Sequence, residues 1–141
     1  MKHLEQITAA VELGRGGDRE EARKRLTALW AEAEDRQTRC VIAHFLADVQ
    51  DETEDELSWD LRALENAEVE QWLPSLHLSL ADDYRRLGAA AKAEEHLGVA
   101  RTHLGLLGDD AYGDLIRGAV GHVAEALAAG SVERLATNPS T

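Results

Sequence analysis

The amino-acid sequence predicts an all-α fold on three observations. Apolar residues recur at i, i+4 and i+7 in segment after segment, which places them on one face of a helix. Glycines, prolines and capping residues cut the chain into runs of about 12 to 18 residues, and no run alternates apolar and polar positions with period two. The composition agrees, with two prolines, 4% aromatic residues and abundant alanine and leucine, which hold a helix at little cost.

A first helix is expected from Lys2 to Leu13, stopped by the glycines of "GRGG". Asp18 caps a second, "REEARKRLTALWAEAE", whose Ala22, Leu26, Leu29 and Trp30 form one apolar stripe. A third covers Gln37 to Gln50. Thr53 with Glu56 reads as the capping box of a fourth, "EDELSWDLRALENAE". Pro74 suits the first turn of a fifth, which ends at Gly88. The sixth spans Ala90 to Leu107, and Asp109 or Asp110 opens a seventh reaching Ala129. Seven helices joined by short turns make one domain over residues 1–130, followed by a tail at 131–141 that ends "TNPST" and should be disordered.

The stripes repeat. Ala22/Leu26/Leu29, Leu57/Leu61/Leu64 and Ala93/Leu97/Ala100 share one spacing and recur 35 and then 36 residues apart. In the odd helices Ala9-Ala10/Leu13, Ile42-Ala43/Leu46 and Leu80-Ala81/Tyr84 recur at intervals of 33 and 38, and Gly17 and Gly88 fall at the same relative turn. Such a period marks an array of helix-turn-helix pairs. The stretch "LSLADDYRRLGAAAKAEEHLGVA" resembles the tetratricopeptide repeat, with Leu80, Ala81, Tyr84, Gly88, Ala93, Leu97 and Ala100 where that motif wants them. Residues 3–36 match less closely, and 37–72 need an insertion near "DETED". His77 stands where the motif has an aromatic residue, and "LGLLGDD" where it has a proline. The resemblance implies a right-handed superhelix of about three such pairs with the seventh helix as its cap.

It also implies a concave groove lined by the first helix of each pair, accepting a peptide or helix of a partner protein. In that register the groove carries Ile7, Val11, Cys40, His44, Asp48, Leu78, Asp82 and Arg85. A slip of one position in the third helix would instead bury His44 and present Val41 and Phe45.

Cys40, His44 and Asp48 lie at i, i+4 and i+8, residue types that a metal or a nucleophilic mechanism would use. A small ligand-binding protein or enzyme built on Cys40, His44, Asp48 and Asp82 is therefore the alternative function. Against it, Cys40 to Asp48 spans about 12 Å of helix rise, too long for one ion. No His-Glu-x-x-His, paired-cysteine or phosphate-loop motif is present either. The expectation is a binding module and not an enzyme, with no cofactor and no metal. A net charge of −12 repels nucleic acid, and one cysteine excludes an intramolecular disulfide. No apolar run reaches the ~20 residues of a membrane span, and the amino terminus lacks a signal-type apolar segment, so a cytoplasmic, bacterial protein is expected. His77 reads as a packed core residue, His96 and His103 as exposed, the three tryptophans as inter-helix packing, and "DETEDE" as solvated. Gly113, Gly118 and Gly121 each cost a helix about 1 kcal/mol. They point to the close approach of another backbone, within the array or across a homodimer.

Overall fold

The computed structural model describes residues 3–135. Among these there are seven α-helices and no strand: α1 (Leu4–Arg15), α2 (Arg19–Glu32), α3 (Arg36–Asp48), α4 (Thr53–Glu65), α5 (Leu73–Arg86), α6 (Ala90–Thr102) and α7 (Ala111–Ala128). Among the described residues no helix is long and apolar enough to cross a membrane. The chain forms two compact units, Met1–Glu68 and Val69–Thr141.

In the first unit α1 packs on α2 and α3 on α4. Ile7 and Ala10 of α1, Ala22, Leu26 and Leu29 of α2, and Ile42 and Leu46 of α3 make its core. In the second, α5 and α6 pack together and both receive α7. Leu78 and Ala81, Leu97 and Ala100, and Ile116, Ala119, Val120 and Val123 are its core. A constant offset of 71 residues carries Ile7 to Leu78, Ala10 to Ala81, Gly17 to Gly88, Ala22 to Ala93 and Leu26 to Leu97. Each of these apolar residues is buried in its own unit.

The turns explain the offset. Gly17 and Gly88 have φ of 102° and 79°, a backbone conformation that a Cβ disfavours. It lets Asp18 N–H donate to the Leu13 carbonyl at 2.9 Å and Ala89 N–H to that of Tyr84 at 2.8 Å, closing both helices by the same glycine motif. Gly130, φ 70°, ends α7 likewise, with Ser131 N–H on the Ala126 carbonyl at 3.0 Å. The α3–α4 connection has no such glycine. There, the arginines of α2 satisfy the last carbonyls of α3 and the residues after it. Arg19 donates to Asp48 and Gln50, and Arg23 to Val49, cations at a helix C-terminus where the dipole favours them.

Asp18 caps α2 and Asp110 caps α7 as expected. The start of α3 is capped by Asp35, whose carboxylate accepts from the Thr38 N–H and hydroxyl at 2.9 and 2.7 Å and is held below the usual carboxylate range by those bonds. Thr53 does not cap α4: it is the first residue inside the helix, and Glu52 stands at the cap position. The sixth helix stops at Thr102, short of Leu107, and gives way to a 3-10 turn at Leu104–Leu106, where Gly105 and Gly108 withdraw helix propensity. Residues 131 and 133 of the expected tail are bound by Arg85, whereas "TNPST" lies outside the described residues.

The α7 glycines are unlike one another. A Cβ on Gly113 would collide with the Gly108 carbonyl oxygen, so a backbone does approach closely there, within the unit. At Gly118 and Gly121 a Cβ would meet nothing within 4 Å. Gly118→Ala and Gly121→Ala should each raise stability by about 0.5–1 kcal/mol, and Gly113→Ala should lower it. Urea denaturation of the three single variants checks both signs.

Candidate functional site

The α3 face singled out by its residue types is only partly accessible. Cys40 is buried, while His44 and Asp48 are half-buried. Burial pushes the Cys40 thiol up to about 11, against the opposing charge of Arg36, so at neutral pH it is a protonated thiol and not a nucleophile. Among the described residues the donor atoms of Cys40, His44 and Asp48 do not all come within 4.8 Å of one another, as the helix rise requires. Val41 and Phe45 pack against the core of the first unit.

The expected groove residues of the other helices are mainly interior. Ile7 and Leu78 belong to the two cores, and Val11 is half-buried at the edge of the first. Asp82 and Arg85 are buried as well, Arg85 at 1% exposure. The Arg85 guanidinium spends its donors inside the second unit. Nε and Nη2 bind Asp82 Oδ1 at 3.1 and 2.8 Å, Nη1 the Ser131 carbonyl at 2.8 Å, and Nη2 the Glu133 carbonyl at 2.8 Å. Asp82 Oδ2 accepts from Arg86 at 3.0 Å, and Arg86 also bonds Asp83 at 3.1 Å. Through the two carbonyls, Arg85 ties α5 to the chain after α7. On α4, Glu56, read as part of a solvated acidic run, is buried, as is Asp60.

A different surface of the first unit carries accessible recognition chemistry. Trp30 of α2 and Trp59 of α4 meet edge to face, ring centroids 5.1 Å apart at 87°. The Arg39 guanidinium of α3 lies 3.9 Å over the Trp30 ring, and that of Arg62, on α4, 4.3 Å over Trp59. Arg62 is exposed and the other three are half-buried. Arg39 gives one bond, to the Ala33 carbonyl at 3.3 Å. Among the described residues neither guanidinium has a carboxylate partner, in a chain with 27 acidic residues. Stacking on an indole occupies the guanidinium face and leaves its N–H edge for bidentate bonding to a carboxylate. From sequence alone the tryptophans read as packing, uncoupled from Arg39 and Arg62. The available signal was an arginine three residues after Trp59 on the same helix face.

No family model matches the chain, and no curated protein or solved structure matches it.

Two outcomes follow from this chemistry. Removing the cation in Arg85→Ala orphans two carbonyls and weakens the hold on Asp82, so a loss of about 3 kcal/mol or more is expected in urea denaturation. Cys40 should react with a thiol-specific disulfide reagent far more slowly in the native protein than in urea at pH 8. Its native rate should rise as pH climbs towards about 11, the value to which burial moves the thiol.

Proposed function

We propose that this chain is a protein–protein interaction module of tetratricopeptide-like helix pairs that binds an acidic peptide or helix of its partner. The repeated hairpins with their shared glycine turn support the family reading. The observation that carries the function is the Arg39–Trp30–Trp59–Arg62 ladder, two half-buried indoles bracketed by two guanidiniums that no carboxylate of the described residues neutralises. Tryptophan and arginine are the residues whose truncation costs interfaces most. Carboxylates of the partner would take the arginine edges, and its apolar side chains would cover the indoles. Val11, His44 and Asp48, the half-buried members of the expected groove, are further contact candidates. The buried Ile7, Cys40, Leu78, Asp82 and Arg85 serve packing in this reading.

Selection from a phage-displayed random-peptide library, followed by fluorescence titration of synthetic peptides, tests this. Acidic sequences should be enriched, and the Arg39→Gln/Arg62→Gln variant, its fold checked by circular dichroism, should bind them at least about tenfold more weakly. Peptides without acidic enrichment, or equal binding by wild type and variant, would overturn the proposal.

A further inference from the structure

Apart from the ladder, and independent of it, two histidines meet inside the second unit. His77, on α5, and His96, on α6, point their Nδ1 atoms at each other across 3.0 Å. Their rings stack at 24° with centroids 5.3 Å apart, and Tyr84 of α5 stacks on His96 at 10° and 5.4 Å. Both imidazoles are half-buried, so His96 is not the solvated residue that a convex-side position suggested. Two ring nitrogens at this distance make a hydrogen bond only if one carries a proton and the other a lone pair. One ring then holds its proton on Nδ1 and leaves Nε2 bare. Its neighbour is protonated on Nε2 and accepts at Nδ1. The pair therefore has room for one more proton but not for two. The first goes to the bare Nε2 of the donor ring and leaves the bond in place, now charge-assisted. The second can go only to the accepting Nδ1. It removes the acceptor, sets two N–H groups face to face, and puts two cations on stacked, half-buried rings.

We propose that the His77–His96 pair is an acid-sensitive latch between α5 and α6, closed while it carries at most one added proton and opened by the second. Tyr84 faces the pair from α5. The charges that act on it are those of Lys92 and Glu95 on α6 and of His103 just past its end. Lys92 and His103 oppose protonation, and Glu95 favours it at His96. Burial, then the charges of His96 and His103, push His77 down to about 4, and burial lowers His96 as well. A free imidazole takes up its proton near pH 6.5. Between that value and about 4 the unfolded chain binds protons that the closed pair refuses, so stability falls as the pH falls through this window. The core contacts of Leu78 and Ala81 with Leu97 and Ala100 carry no charge. Opening therefore begins at the histidines, and it separates His96 from both His77 and Tyr84.

Nitrogen-15 spectra of the imidazoles of the full chain, followed from about pH 7.5 to about pH 4, test the latch. The pair should take up its protons in two steps at least about one pH unit apart. The ring signals of Tyr84 should move with the second step, as its stacking on His96 is lost. His77→Phe keeps an aromatic ring at the position and so preserves packing, and in it His96 should titrate in a single step. In urea denaturation, the folding constant of the parent should fall at least about tenfold more between about pH 7 and about pH 4.5 than that of His77→Phe. Carboxylates titrate alike in both proteins, so their contribution cancels in that comparison. His122→Ala, on the exposed face of α7, should follow the parent. Uptake of both protons in one common step, or an equal loss of stability in the parent and His77→Phe, would overturn the proposal.

Discussion

A guanidinium removed from water is the constraint from which the second unit is built. Arg85 is 1% exposed, and a cation so placed is tolerable only if the chain surrounds it with acceptors. Asp82 supplies one from the preceding turn of α5. The other two are the carbonyls of residues 131 and 133, more than forty residues away. Those carbonyls arrive because α7 ends at Gly130, whose positive φ folds the chain back. Gly130 thus does more than terminate a helix: it aims backbone oxygens at a buried charge. Once the segment after α7 is fixed there, Ile116, Val120 and Val123 are held over Leu78, Ala81 and Leu97.

Helix ends set the rest of the architecture. The final carbonyls of a helix need donors, and at four of these helices two solutions meet the need. At α1, α5 and α7 a glycine in the left-handed region lets the chain's own amides return. At α3, whose connection to α4 has no such glycine, Arg19 and Arg23 reach across from α2 to do it. The second solution costs two side chains but holds α2 against the end of α3, beside the core that Leu26, Leu29, Ile42 and Leu46 share.

This division also separates what was legible in the sequence from what was not. Caps at Asp18 and Asp110, the glycine stops at 17 and 88, and the apolar stripes are local signals, and each was readable within a few residues. Periodicity places Asp82, Arg85 and Glu56 at the surface or in solvent because it treats a charge as exposed. Whether a charge is buried depends on acceptors elsewhere in the chain, and for Arg85 these are backbone carbonyls, which carry no residue signature. The Trp30–Trp59 contact was legible only as packing, since the stacking of Arg39 and Arg62 depends on which faces α2, α3 and α4 turn to each other. His77 of α5 and His96 of α6 bring their Nδ1 atoms within 3.0 Å of each other, a pairing hidden for the same reason. A histidine in place of an aromatic residue reads as a ring to be packed, and nothing local shows a second imidazole opposite.

The acidic partner proposed for a chain of net charge −12 looks at first like a contradiction, and the range of the forces resolves it. At physiological ionic strength, charges are screened beyond about 8 Å, so the approaching carboxylate does not respond to the molecule's total charge. It responds to the nearest few groups. At the ladder two guanidiniums are stacked on indole rings, with no ion pair to a carboxylate among the described residues. Immobilisation matters as much as sign. A stacked arginine has lost its rotamer freedom during folding, so that cost is not incurred again on binding. The arginines bound to Asp82 or Asp51 differ, because an incoming carboxylate would first have to displace one already in place. An abundance of acidic side chains therefore sharpens the contrast, making the few uncompensated cations the places where a negatively charged segment can gain by binding.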